Sequence, residues 1–490
     1  MQKDSILTLF FICLATSLFT IDMGIITISF NNIENYFSTT SSVTSWVLTV
    51  FSISSAIGIV SLGFLSKIFG RNNIYLINVL GFSLFSGFCG LADNIQQLLL
   101  FRFFQGFFGS GLVALSQALV LDIFSLKNRS KALSAWTFGL LSGPVLGPIL
   151  GGYLIEYLSW RWIFFINVPL GIIAFLGLFL NLEREKIKKN IEVNFSGFLL
   201  LSAAIASLQV FLDRGELEDW FDSFLICCLA FIFLICLFLY ILNNCYSNNP
   251  LFSKKLFTDR NFLGGLVFAF LFGLILIPHF ILFPMYLSQV QSFPIYSIGL
   301  IVSISGIGGM LSTFFTSKII SILGNIKTML LGLFLFVICN INSSFWNIDS
   351  STKQIILNSL FRGISISIYY VALANITYIT LPSTLRTQGA SLFQFLRTTG
   401  TGIAVAIIII SFNKFYNIHF DELRSSLNML DPNNSFLFDF DTTPEQKKVI
   451  LSNILSNQSK MNSLINEFLI LSLCPFLFLP FFLLFSKKKN

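Results

Sequence analysis

The chain is poor in charge and almost without histidine. Of 490 residues, only 11% are Asp, Glu, Lys or Arg, under half of the ~25% usual in soluble domains. Histidine occurs twice, at His279 and His419. The eight cysteines form no C-x-x-C pair and no Cys/His spacing, so neither a disulfide framework nor a metal site is expected, and they read as small buried hydrophobes. No G-x-x-x-x-G-K-[ST], H-E-x-x-H or G-x-S-x-G occurs, and no paired carboxylates, which argues against an ATP-driven engine and against an enzyme. The net charge of +7 and pI of about 8.9 invite a nucleic-acid reading. No Lys/Arg-rich block is large enough for a phosphate footprint, so no nucleic-acid partner is expected.

What the chain has instead is apolar surface. Hydrophobic residues make up 55% of it, 59 of them phenylalanine, and the mean hydropathy is +0.81. Such a chain cannot hide its apolar surface from water and is read as an all-α integral membrane protein in the lipid bilayer. A span needs about 20 mostly apolar residues. Fourteen stretches qualify, the first near 7–30, uncleaved rather than a signal peptide, and the last near 465–485. With the N-terminus inside, most Lys and Arg fall in cytoplasmic segments, whereas the short outer loops keep only Arg161, Arg214 and Lys353. Both termini are therefore expected to be cytoplasmic.

Four ionisable residues stand out inside spans: Asp22 among the acids, and Arg102, Arg362 and Arg397. Such groups are costly at membrane depth and usually face a cavity or a partner. Asp22 lies roughly 12 Å from the outer end of its span and Arg102 roughly 9 Å, at 1.5 Å per residue. The two are expected at one level, facing a common cavity. The plainer alternative is that each bonds backbone or a neighbouring Ser/Thr.

Several local patterns resemble one family. GFLSKIFGRN, Gly63 to Asn72, matches the G-x-L-x-D-x-x-G-R-K loop of the major facilitator superfamily at Gly63, Leu65, Gly70 and Arg71. Lys67 stands where that loop usually has Asp, and Asn72 where it has Lys. The pattern reads as a tight turn with charges at two helix ends, and Asp122 is the carboxylate expected to serve Arg71 in place of the missing Asp. Orientation alone is the plainer use of such a loop. LLFRFFQGFFGSG resembles the fourth-span motif R-x-x-Q-G-x-x-x-G through Arg102, Gln105, Gly106 and Gly111. SGPVLGPILGG resembles the antiporter motif G-P-x-x-G-P-x-x-G-G at Gly143, Pro144, Gly147, Pro148, Gly151 and Gly152. WRWIFFINVPLG, LQVFLDRGELEDWFDS and NPLFSKKLFTDRNF look like the fourteen-span drug:proton antiporters of the EmrB/QacA type, closest to EmrB-like inner-membrane exporters.

That resemblance implies a major facilitator fold. It would comprise a six-helix bundle over 1–190, two linker helices over 191–250, and a second six-helix bundle over 251–490 with an outer-side segment at 412–464. It implies proton-coupled efflux of amphipathic or hydrophobic toxic compounds by alternating access, driven by the proton gradient without a cofactor, in a bacterial inner membrane. Asp22 would exchange protons while Arg102 tunes it. Gln105, Arg362 and Arg397 would line the cavity, and Gly63, Gly70, Arg71 and Asp122 would form a gating loop. Export of an endogenous siderophore, lipid or metabolite is the alternative. A periplasmic adaptor and an outer-membrane channel are the implied partners, with 412–464, read as a surface helix, their candidate contact.

The glycine-rich stretch also has a reading from the residues alone. Gly139, Gly143, Gly147 and Gly151 recur every four residues, so they stay near one helix face. Small residues let another helix come close where lipid offers no hydrophobic drive. Pro144 and Pro148 are expected to bend the helix. The stretch is read as a close-packing seam, and the exporter resemblance implies that this seam lies between the two bundles.

Overall fold

A computed structural model of the chain describes residues 2–26, 29–183, 194–247, 249–426 and 444–485. The apolar runs become long helices: α1 (Gln2–Ile26), α2 (Trp46–Phe69), α3 (Arg71–Gly90), α4 (Ile95–Ile123), α5 (Leu126–Tyr157), α6 (Asn167–Asn181), α7 (Phe195–Arg214), α8 (Phe224–Tyr246), α9 (Arg260–Met285), α10 (Ile295–Leu323), α11 (Asn325–Ser344), α12 (Thr352–Thr377), α13 (Arg386–Ser426) and α14 (Pro444–Leu477). Among the described residues 13 helices are long and apolar enough to cross a membrane, and α5, bent by 41° between Asn128–Gly147 and Ile149–Tyr157, brings the number to 14. The bend falls at position 148, where the sequence has a proline and the backbone therefore lacks one N–H.

Local chemistry sets where the helices start. Asn94 caps α4 by accepting from the Gln97 amide at 2.9 Å, and Asp259 caps α9 through the Phe262 amide at 3.1 Å. Each offers a side-chain oxygen to a helix N–H that has no partner within the helix. Two sharp turns need glycine. Gly70 (φ +84°) joins α2 to α3 and Gly324 (φ +77°) joins α10 to α11. Both sit in the left-handed region that a side chain disfavours. They occupy the same place, between the second and third helices of each half.

The long helices sort into two groups. In the first, α5 packs on α1, α4 on both α2 and α3, and α6 on α1 and α3. In the second, α13 packs on α9 and α14, and α12 on α10 and α11. The groups meet where α5 lies against α10 and α12, and where α13 lies against α2 and α4. Helix α7 touches α2 in one group and α13 in the other, while α8 packs mainly on α7 and is largely exposed. The expected bundle boundary near 190 lies outside the described residues.

Three expectations from the sequence change. Gly63 is not part of a loop: it is buried inside α2, and the turn is confined to Gly70, because nothing between Gly63 and Phe69 breaks the helix. Nor are the described parts of 412–464 a separate surface helix. α13 continues through them to Ser426, and α14 starts at Pro444 and runs on into the last span. Side chains tie the two together, Tyr416 to Ser456 at 3.2 Å and His419 to Asn466 at 2.9 Å. Polar residues here mark a helix–helix contact, not an interruption.

The third change concerns the glycine seam, which lies inside the first group and not between the groups. A Cβ on Gly139 would sit 2.8 Å from the Cys13 carbonyl oxygen, and one on Gly147 would sit 3.0 Å from the Gly24 Cα. The Gly143 backbone comes equally close to Gly24. The stripe thus lets α5 press onto α1, its partner in the same bundle. The adjoining face, with Leu141 and Val145, meets Gly309 and Gly306 of α10 across the bundle interface. Gly152 has open space where a Cβ would go.

Candidate functional site

Helices α1 and α4 bring Asp22 and Arg102 together. Arg102 Nη1 lies 2.7 Å from Asp22 Oδ2, and both side chains are essentially sealed from solvent. Three further groups complete the set. Gln105, one turn along α4, accepts from Arg102 Nη1 at 2.9 Å and donates through Nε2 to Asp22 Oδ1 at 3.1 Å. Asn167, at the start of α6, donates to the same Oδ1 at 2.9 Å and to Ser86 at 3.1 Å. Arg102 Nε donates to the Val47 carbonyl at 3.3 Å, and the guanidinium lies 4.2 Å from the centre of the Phe51 ring.

This is a closed polar network rather than two residues facing an open cavity. Buried charge is tolerated when it is paired and hydrogen-bonded on all sides, and this pair nearly is. Arg102 Nη2 is the exception, buried with no acceptor. Sequence reasoning found Asp22, Arg102 and Gln105 but passed over Asn167. An Asn set within the apolar run WIFFINVPLG was the available signal.

The second group repeats the arrangement with different chemistry. Arg362 on α12 is fully buried, and its Nη1 meets His279 Nδ1 of α9 at 2.6 Å. Its Nη2 donates to Asn358 Oδ1 at 3.0 Å, to the Cys339 carbonyl at 3.2 Å and to Ser343 Oγ. A guanidinium only donates, so Nδ1 is the acceptor and the imidazole proton sits on Nε2, which has no partner. Gln105 and Arg362 have no exposed surface and so line no open space here. Arg397, in the first third of α13, is partly exposed.

At the end of the bundles that carries the Gly70 turn, Asp122 does pair with Arg71. It also pairs with Arg386 of α13, which adds a hydrogen bond to the Leu121 carbonyl at 3.2 Å. One carboxylate therefore ties the two groups of helices together. Ser130 and Asn375 add a second tie at 3.0 Å. Lys67, standing where the motif has Asp, is exposed in the last turn of α2. Arg386 was not legible as a partner, since in sequence it is one basic residue among many at a span end.

One buried acid escaped the sequence reading altogether. Glu467 of α14 is fully buried, with Ser411 of α13 as the polar side chain beside it. With the last span placed at 465–485 it sits at the edge, but α14 begins at Pro444, which puts Glu467 well within the helix.

Two helix bundles meeting along one interface, each with buried polar groups between its first and fourth spans, define a secondary-transporter architecture. The chain belongs to the Major Facilitator Superfamily, whose family model matches residues 12–405. It is 30% identical over 426 residues to "Multidrug export protein EmrB" of Haemophilus influenzae, covering 86% of this chain and 82% of that protein. It is 31% identical over 369 residues to "Fatty acid resistance protein FarB" of Neisseria gonorrhoeae, covering 74% and 72%. The human organic anion transporter MFSD10 (TETRAN) shares the fold, with a TM-score of 0.61 and 15% identity over 98% of this chain and 99% of that one.

Proposed function

We propose that this chain is a proton-coupled multidrug exporter of a bacterial inner membrane, moving amphipathic and hydrophobic compounds by alternating access. The observation that carries the reading is the sealed network of Asp22, Arg102, Gln105 and Asn167. Asp22 is a carboxylate that a proton can neutralise. Neutralised, it no longer holds the guanidinium by charge, and Arg102 then needs another partner inside a low-dielectric interior. Proton binding thereby biases the arrangement of α1 against α4. No cofactor enters, and the gradient supplies the work.

The rest of the machinery follows from the same reading. The bundles over 1–190 and 251–490 would rock about the interface of α5 with α10 and of α13 with α2 and α4, with 191–250 as linker helices. Asp122, shared by Arg71 and Arg386, would latch the cytoplasmic end. The outward extensions of α13 and α14 offer a surface to a periplasmic adaptor and outer-membrane channel. The names of the curated relatives support drug-like and fatty-acid cargo. The test is a dye gradient in proteoliposomes driven by an imposed ΔpH. Wild type should accumulate or expel dye with the gradient, and Asp22→Asn should not. Driven transport in Asp22→Asn would remove the coupling assignment.

A further inference from the structure

We infer that Glu467 is a proton-binding site of the second bundle, filled in this structure and reached along the contact of α13 with α14 from the membrane face opposite the Gly70 turn. That face is the outer one in the orientation proposed above. The site is separate from Asp22 and does not depend on the exporter reading.

The first ground is the carboxyl itself. Glu467 has no exposed surface. Its helix neighbours Leu464, Phe468 and Leu471 belong to an apolar cluster that includes Ile408 and Phe412 of α13. Among the described residues no Lys, Arg or His forms an ion pair with it. Ser411 is the polar side chain beside it, and the Ser411 hydroxyl gives its proton to the Ile407 carbonyl at 2.7 Å. A hydroxyl has one proton, so Ser411 has only lone pairs left for Glu467. A protonated carboxyl can donate to them; a carboxylate cannot. A bare carboxylate sealed in such a place is strongly disfavoured, and a proton removes the charge.

The second ground is that the titratable groups nearby are engaged elsewhere. On α13, His419 is held by Asn466 at 2.9 Å and by Glu422 at 3.2 Å, Tyr416 by Ser456 at 3.2 Å, and Lys414 is exposed. His279 of α9 is taken by Arg362, and the Tyr286 hydroxyl, in the turn after α9, by the Asn347 carbonyl at 3.0 Å. The outer half of α11 brings only the Cys339 thiol. Arg362 lies behind Phe468, its guanidinium 5.6 Å from the centre of that ring.

The third ground is access. From Arg386 to Ser411, α13 rises about 38 Å at 1.5 Å per residue, more than a ~30 Å hydrocarbon core, so Glu467 stands near the far edge of the membrane. Ser459 and Ser463, both fully buried, precede it at four-residue steps along α14. At the head of this line Ser456 meets Tyr416, and both are partly exposed. A row of hydroxyls thus leads from the rim to the carboxyl, and polar groups set within a span in this way mark proton relays. The proton holds α14 on α13. Without it the carboxylate needs water or a cation, and neither reaches it while the contact stays shut.

The test uses the full-length protein in nanodiscs and reads the infrared C=O stretch of protonated carboxyls, which a carboxylate lacks. Wild type at neutral pH should show a band that Glu467→Gln removes and Asp22→Asn keeps, and that fades as the pH is raised. Ser411→Ala, which takes away the acceptor, should move the band to higher frequency. Ser463→Val should slow its shift in D2O several-fold. Hydrogen–deuterium exchange of 449–467 should match in wild type and Glu467→Gln at neutral pH. At alkaline pH it should be faster in wild type by about tenfold or more, because only wild type then buries a bare charge. An infrared spectrum shared by wild type and Glu467→Gln overturns the held proton, as does loss of the band in Asp22→Asn alone. Where Glu467→Gln fails to fold, a band unmoved in Ser411→Ala overturns it equally. Exchange that stays alike at alkaline pH overturns the hold on α14, and an unslowed shift in Ser463→Val overturns the path. Absence of ΔpH-driven export with these results intact would strike the exporter reading and leave the site standing.

Discussion

Arg102 and Arg362 occupy the fourth long helix of their respective bundles, and both are sealed from solvent. Each reaches a residue on the first helix of its bundle, Asp22 at 2.7 Å and His279 at 2.6 Å. The geometry is repeated, but the charge is not. In the first bundle the guanidinium meets a carboxylate and forms a buried ion pair. In the second it meets an imidazole and three further neutral acceptors, so no ion pair forms there. The repeat thus keeps a structural staple in both halves, anchored by a carboxylate in one and by an imidazole in the other.

The sharpest way to break this comparison is to remove each partner in turn. Asp22→Ala strands a buried cation and is expected to cost about 3–5 kcal/mol. His279→Ala removes one neutral acceptor and is expected to cost about 1–3 kcal/mol. Thermal unfolding in detergent measures both. The gentler variants test coupling: Asp22→Asn should lose ΔpH-driven transport, whereas His279→Gln should keep most of it. If His279→Gln loses coupling and Asp22→Asn keeps it, the roles of the bundles are reversed.

A second comparison concerns how the first and fifth helices of each bundle touch. α5 presses onto α1 through Gly143 and Gly147, and α13 presses onto α9 through Gly400 and Gly273. Gly147→Leu and Gly400→Leu should each push two backbones apart, costing about 1–3 kcal/mol or more, seen as a lower melting temperature and a lower folded yield. Gly152→Leu is the internal control. Its added Cβ meets nothing within 4 Å, so size-exclusion profiles and transport should match wild type. Equal damage at Gly147 and Gly152 would mean that the motif acts through something other than packing.

These residues also show what a sequence can and cannot reveal. Asp22 and Arg102 stand out because each is a charge in an apolar run, and their helical depths put them at one level. The four-residue glycine period was equally plain, yet the helix it packs against was not, because the partner in a seam is fixed by long-range assembly. His279 and Arg362 were visible singly, but nothing in the spacing joins residues 83 positions apart. Glu467 was hidden for a different reason. Polar residues before 465 read as a segment outside the membrane, whereas they are the buried face of a continuous helix, with Ser459 and Ser463 on the same stripe.

The two glycine turns provide a smaller and more symmetric test. Gly70 and Gly324 hold φ of +84° and +77° at equivalent places in the two bundles. Alanine at either should cost about 1–2 kcal/mol from the left-handed backbone alone. Because this cost is local, Gly70→Ala and Gly324→Ala should lower the melting temperature alike. A transport defect confined to Gly70→Ala would instead show that the first turn also serves the neighbouring Arg71–Asp122 contact.

The smallest stability effect is expected at that contact. Asp122, Arg71 and Arg386 are each 15–20% exposed at the side chain, so solvent screens them and each pair should contribute no more than about 1 kcal/mol. The mechanical effect should exceed the thermodynamic one, because the two arginines come from different bundles and share a single carboxylate. Arg71→Gln leaves the link between bundles in place; Arg386→Gln removes it; Asp122→Asn weakens both at once. Thiol labelling of a cysteine introduced at Ser130, beside the second tie to Asn375, reports how often this end opens. Labelling should rise in Arg386→Gln and in Asp122→Asn, and stay near the wild-type rate in Arg71→Gln. If Arg71→Gln labels as fast as Arg386→Gln, the latch lies within the first bundle, and the two halves are held together elsewhere.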